Sequence, residues 1–170
     1  MSIRITEGEI TSCSRALLRH NGFKILSSSA KGEKLYYRTE ISSRPQLKQP
    51  DTVAFKDNHT IVIEDKIRYS DLFKTSGERP SDVEKLLRFM RNEAFVQEFR
   101  DQVHKVTGPT DTAIEIHCGC SSLAPGDSTL LPDDFLFFSV SIEESSGHVN
   151  AQKLGHIANL FPSKSCCFEL

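Results

Sequence analysis

No apolar run in this 170-residue chain approaches the ~20 residues that a bilayer-spanning helix needs, so no helical membrane span is expected. The polar start Met1-Ser2-Ile3-Arg4 is not that of a signal peptide. Internal repeats and low-complexity tracts are absent, and no Ser-His-Asp arrangement, P-loop or G-x-G-x-x-G motif occurs, which removes the commonest serine-hydrolase, nucleotide and dinucleotide sites from consideration. Cysteine is scarce and irregularly spaced. The five residues Cys13, Cys118, Cys120, Cys166 and Cys167 do not form a disulfide framework, and are expected to be reduced thiols in a cytoplasmic protein. His117-Cys118-Gly119-Cys120 has only one residue between its cysteines, where structural zinc sites favour two or more. The terminal Cys167-Phe168-Glu169-Leu170 has Glu169 where a prenylation signal needs an aliphatic residue.

What is present is the composition of an ordinary globular protein, 38% hydrophobic and 26% charged, of a length that suits one domain with a real core. Net charge is −2, but it is unevenly spread. Residues 15–91 hold 16 Lys/Arg against 10 Asp/Glu, a balance of +6, while the rest holds 5 against 13, a balance of −8. A basic segment of this kind is what phosphate binding requires.

Residues 50–66 carry the densest signal. Val53–Phe55 and Ile61–Ile63 flank Asp57-Asn58, a two-residue turn signal, and together read as a β-hairpin. In that register cross-strand partners sum to 115, so Asp51 lies opposite Glu64, with Cβ atoms roughly 4.5–5.5 Å apart. An odd-length, bulged loop would pair Asp51 with Asp65 instead. Strand alternation places Lys66 on the face of Glu64. Two adjacent carboxylates repel unless a cation sits between them. Mg²⁺ suits such a place, taking one or two carboxylates and completing its octahedron with water and substrate phosphate. A lysine beside that pair can help to hold or deprotonate the attacking water and stabilise the pentavalent transition state of phosphodiester hydrolysis.

These residues closely resemble the signature of the PD-(D/E)xK nuclease superfamily: Pro50-Asp51 on one strand, then Glu64-Asp65-Lys66 on the next, with 12 residues between Asp51 and Glu64. The resemblance covers about residues 5–118. It implies a restriction-endonuclease-like fold, metal ligation by Asp51, Glu64 and the backbone carbonyl of Asp65, and catalysis by Asp51, Glu64 and Lys66. The family often adds an acidic residue from its first helix, for which Glu9 is the candidate with Glu7 behind it, and Glu40 is a further acid able to approach. A capping or solvated role is the competing account of Glu9. Some members hold an iron–sulfur cluster on four cysteines, but the spacing here departs from theirs. The second Pro-Asp, Pro132-Asp133, is followed by no E-x-K and reads as a plain turn.

Elsewhere the pattern predicts a capping box at Thr6–Glu9 opening a helix that stops at Asn21-Gly22, then a strand pair, Phe23–Ser29 with Leu35–Ser42. Ser43–Gln49 leads into the hairpin. The polar stretch Arg68–Pro80 is expected to be a phosphate-contacting flap or a solvated connector. Ser81–Glu84 caps one long helix that ends before Gly108-Pro109. Thr112–Cys118 and Phe135–Ile142 read as strands, Ser121–Asp134 as a loop, and Val149–Phe161 as a helix. Arg68, Lys74, Arg79 and Lys85 are the candidate nucleic-acid contacts.

The expectation is therefore one nuclease domain over residues 1–170, an α/β fold whose central mixed sheet is built on Leu35–Ser42, Asp51–Phe55, Ile61–Ile67 and Ala113–Cys118, flanked by helices and completed by residues 135–161. The expected activity is Mg²⁺-dependent endonucleolytic cleavage of DNA, with Mn²⁺ able to substitute, by a homodimer. An RNA-cleaving enzyme of the same fold and a catalytically silent nucleic-acid-binding or assembly module are the alternatives.

Overall fold

The computed structural model describes residues 4–26, 34–108 and 110–170. Asp57 and Asn58 have φ of 49° and 64°, the left-handed pair that a type I′ turn demands and that Asp and Asn tolerate. They join β4 (Thr52–Lys56) to β5 (His59–Asp65) in the sum-of-115 register, Lys56 facing His59 and Thr52 facing Ile63. β5 then pairs in parallel with β6 (Glu115–Leu123), and β6 in parallel with β7 (Leu136–Glu143). With both faces covered, β5 needs the unbroken apolar run Ile61–Ile63, and all of its residues after His59 are buried.

The sheet continues antiparallel at both ends. β1 (Lys24–Ile25) pairs with β4 on one side; β8 (Ser146–Lys153) and β9 (Ser165–Glu169) extend β7 on the other. The result is a large, curled mixed sheet of seven strands, ordered β1-β4-β5-β6-β7-β8-β9. Against one face lie α2 (Asp82–Met90) and α3 (Glu93–Thr107), whose Leu86, Phe89 and Phe99 pack on Val62, Cys118 and Cys120. Against the other lies α1 (Glu7–His20), with Ile10, Cys13 and Leu17 on Ile61, Ile63 and Phe138. The fold class is α/β, as the sequence pattern suggests. Among the described residues no helix is long and apolar enough to cross a membrane.

Several elements differ from expectation. Leu35–Ser42 does not join the central sheet. Its strand, β2 (Tyr37–Ile41), turns back through Ser42 and Ser43, both at positive φ, and pairs with β3 (Arg44–Lys48), the segment expected to be a mere lead-in. This two-stranded ribbon is held on the helices by Arg38 with Glu98 (3.2 Å), by Thr39 Oγ1 donating to the Lys85 carbonyl (2.8 Å), and by Gln102 bonding both backbone groups of Tyr36. Of the expected partner Phe23–Ser29, only Lys24–Ile25 is strand, on β4; residues 27–33 lie outside the described set. The long helix is two helices. The side chain of Asn92 accepts from the Phe95 N–H at 3.2 Å and starts α3 afresh after Arg91. The expected helix Val149–Phe161 is split: its first five residues belong to the strand β8, whose buried Gly147, Val149 and Ala151 alternate, and a 3₁₀ turn follows at Gly155–Leu160. β6 runs on to Leu123, so the loop expected from Ser121 begins later.

Candidate active site at the end of the central hairpin

Asp51 sits one residue before β4 and Glu64 one before the end of β5, so the hairpin delivers both to the same place. The Asp51 backbone is clamped from α1: Arg15 donates to its carbonyl at 2.5 Å and to Thr52 Oγ1 at 3.0 Å. Its carboxylate accepts the Asp65 N–H at 2.8 Å, which aims it across the strand ends. Glu64 is almost wholly buried beneath the β2–β3 ribbon, accepting from Tyr37 Oη at 2.9 Å and meeting Lys48 Nζ at 3.3 Å. Burial pushes the Glu64 carboxyl well above the usual range; Lys48 opposes this, and the nearby Asp51 and Asp82 carboxylates add to it.

The third carboxylate is Asp82, in the first turn of α2. Lys48 Nζ lies 2.6 Å from it, Lys66 Nζ 3.4 Å and Lys85 Nζ 3.5 Å. Burial works against its charge, but these three ammonium groups prevail and its pKa is lowered. Lys66 also reaches Glu7 of α1 at 3.7 Å. Burial disfavours the Lys66 charge, yet Asp82 and Glu7 outweigh it, so its pKa is raised. Lys66 is thus a firm cation. Lys48 is a second one, held between Glu64 and Asp82 with its pKa raised by both despite burial.

Lys66, Lys74, Arg79 and Lys85 line one cleft of about 390 Å³, together with Glu7, Asp71 and Asp82. The structure therefore gathers three of the four expected basic contacts beside Lys66. Arg68, which starts the 3₁₀ turn Tyr69–Phe73, is not among the lining residues. Nor are Asp51 and Glu64; of the three neighbouring carboxylates only Asp82 lines the cleft.

The other acids part company. Glu9 is taken up in the capping box, accepting from the Thr6 N–H at 2.7 Å, and Glu7 is the α1 acid that reaches the cleft. Glu40 is exposed, opposite Pro45. The Asp65 side chain points to the α1 face, accepting from Thr11 Oγ1 at 2.7 Å and from Ser121 Oγ.

Sequence reading missed Tyr37, Lys48 and Asp82. Asp82 had a signal, since it opens a helix soon after E-x-K, but its place beside the Ser81 N-cap hid it. Lys48 and Tyr37 had none, because only the β2–β3 pairing brings them over Glu64.

The cysteines do not converge. Cys13 belongs to the core beneath α1, whereas Cys118 and Cys120 belong to the core beneath α2 and α3, with the sheet between them. His117 faces away from Cys118 and Cys120 for the same reason: successive strand residues alternate sides. At the opposite end of β5 and β6, His59, Glu115 and His117 form a separate group of atoms close enough to hold a metal ion. No family model, curated protein or solved structure matches this chain.

Proposed function

We propose that this protein is a Mg²⁺-dependent endonuclease that hydrolyses DNA phosphodiester bonds at Asp51, Glu64 and Lys66. The observation that carries the reading is convergence: Asp51, Glu64 and Asp82 lie close together, with Lys66 paired to Asp82 at the edge of a cleft that Lys74, Arg79 and Lys85 also line. A donor set of carboxylate oxygens suits a hard divalent cation. The Lys48 ammonium bridges Glu64 and Asp82, which supports a preference for positive charge at this place. Asp51, Glu64 and Asp82 would hold Mg²⁺ once Lys48 swings aside, with the Asp65 carbonyl as a further oxygen on the resemblance to the nuclease signature. The ion would supply positive charge to the phosphoryl oxygens and acidify an attacking water.

The chain's own groups do the rest. Lys74, Arg79 and Lys85 hold phosphates of the strand along the cleft, fixing the scissile group in reach of Lys66. Lys66, kept protonated by Asp82 and Glu7, acts as charge on the pentavalent transition state and not as the base that takes a proton from water. Arg15 and the Asp65 N–H keep Asp51 in place without touching substrate. A homodimer, each subunit cutting one strand, is the assembly this reading favours for duplex substrates, and RNA cleavage by the same groups is its variant.

One observation favours a different class. Lys48 neutralises Glu64 and Asp82 by itself, as it would in a silent nucleic-acid-binding module that needs no metal. Incubating the protein with plasmid, single-stranded DNA and RNA, each with Mg²⁺, Mn²⁺ or EDTA, separates the two. Cleavage that needs the metal and disappears in Asp51→Ala supports the enzyme. Metal-independent binding without cleavage supports the module.

A further inference from the structure

Parallel, in-register pairing sets His59 beside Glu115 and Ile61 beside His117, so residues 59, 115 and 117 project from the same face at the starts of β5 and β6. Their ligand atoms close a small triangle: His59 Nδ1 to His117 Nε2 is 3.0 Å, His59 Nδ1 to Glu115 Oε2 is 3.4 Å, and His117 Nε2 to Glu115 Oε2 is 3.7 Å. For tetrahedral Zn²⁺ with bonds of about 2.0–2.1 Å, ligand atoms stand roughly 3.3 Å apart. The triangle brackets that value. His156, on the 3₁₀ turn after β8, packs its ring against His117 and brings Nε2 to 3.9 Å from the same Glu115 oxygen.

We propose that His59 Nδ1, His117 Nε2 and Glu115 Oε2 form a three-residue zinc site whose fourth position a water would fill, with the His156 ring beside it but outside the ligand group. The donors choose the metal: two imidazoles with one carboxylate suit Zn²⁺ and its late first-row neighbours, not Mg²⁺. The site is accessible, because β7 joins β6 only from Gly119 onward and leaves Glu115 and His117 beside an open pocket of about 460 Å³. It is also separate from the carboxylate cluster, at the other end of β5, roughly 16 Å of strand away. Bound zinc would tie together the beginnings of β5 and β6, segments far apart in sequence, next to the turn that carries His156. It stands or falls independently of the nuclease reading.

The test is titration of the metal-free protein with Zn²⁺ by calorimetry and with Co²⁺ by absorption. We expect one equivalent at this site and a tetrahedral d–d spectrum with no thiolate-to-cobalt band. His59→Ala, at a half-buried position, and Glu115→Gln, at an exposed one, should each weaken binding by at least about 100-fold, the upper end of the loss from removing a mere outer-shell partner. Asp51→Ala should leave zinc affinity unchanged. Circular dichroism of each variant guards against loss of fold. Affinity that survives both of these substitutions, a thiolate band pointing to the exposed Cys167 beside His148, or no stoichiometric uptake would overturn the proposal and leave His59 and His117 as a hydrogen-bonded pair.

Discussion

Lys66 and Asp65 are neighbours on the chain with opposite electrostatic lives. Lys66 stays charged, so its part in hydrolysis is largest where negative charge peaks, in the transition state. Lys66→Ala is expected to lower cleavage by about 10²–10³-fold while DNA and Mn²⁺ affinities change little. Lys66→Arg, which keeps the charge, should retain more activity than Ala; equal loss in both would point to a base. Single-turnover cleavage beside filter binding makes the distinction. Asp65 instead is pushed up from 3.8 to about 7 by burial, only partly offset by the Ser121 and Thr11 hydroxyls. The sign follows from proton counts. Between about pH 4 and 7 the folded chain keeps a proton at Asp65 that the unfolded chain has lost, so stability falls as pH rises through that window and levels off above it. Asp65→Asn removes the titration. Denaturation in EDTA at pH 5 and pH 8 should shift in favour of the Asn variant by roughly 2–3 kcal/mol between the two. A pH-independent difference would mean that Asp65 is ionised in the fold.

At the scale of elements, legibility tracks how local the determinants are. The β4–β5 hairpin is readable because its turn chemistry and both strands lie within 15 residues, and the register that the turn imposes is enough to set Asp51 against Glu64. The capping box at Thr6 is readable for the same reason. What fails is non-local or masked by a competing period. The spacing of Leu154, Ile157 and Phe161 belongs to a 3₁₀ turn, but it does not extend back to Val149, where the alternation of Gly147, Val149 and Ala151 with β7 and β9 on either side decides for strand. Leu35–Ser42 reads as a strand and is largely one, yet nothing in it says that its partner is the polar Arg44–Lys48. The boundary at Asn92 does have a signal, a capping residue before Glu93, which the continuing apolar stripe overrides. Asn92→Ala should therefore cost about 0.5–2 kcal/mol, measured by urea denaturation, through loss of the Phe95 cap. Gly147 makes a sharper case. An added Cβ would come within 2.9 Å of the Phe168 ring and 3.0 Å of Cys13 Sγ, where β8, β9 and α1 meet. Gly147→Ala should destabilise by about 1–3 kcal/mol, the usual cost of overpacking, and an unchanged midpoint would show that β9 yields easily.

Over the whole molecule the near-neutral net charge conceals a division that the fold turns into geometry. The basic excess of residues 15–91 is brought by the β5–α2 connection and the start of α2 to the cleft at one strand end, where Lys66, Lys74, Arg79 and Lys85 stand together. The acidic remainder supplies Glu115 at the other end, beside the histidines. The two ends of the sheet thus differ in the ligands they attract: phosphate and hard cations at one, imidazole-seeking metals at the other. Binding of a polyanion at the basic end must release counterions, so log affinity should fall linearly with log salt at a slope near −0.9 per phosphate neutralised on duplex DNA. If Lys74 and Arg79 each hold one phosphate, Lys74→Gln with Arg79→Gln should flatten that slope by about 2, weaken all sequences alike and leave Mn²⁺ binding at Asp51 untouched. Fluorescence anisotropy on a short duplex across a salt series measures both slope and affinity. A slope that is unchanged in the double variant would put the nucleic acid on another surface, and association that ignores salt altogether would remove the case for a phosphate-backbone ligand.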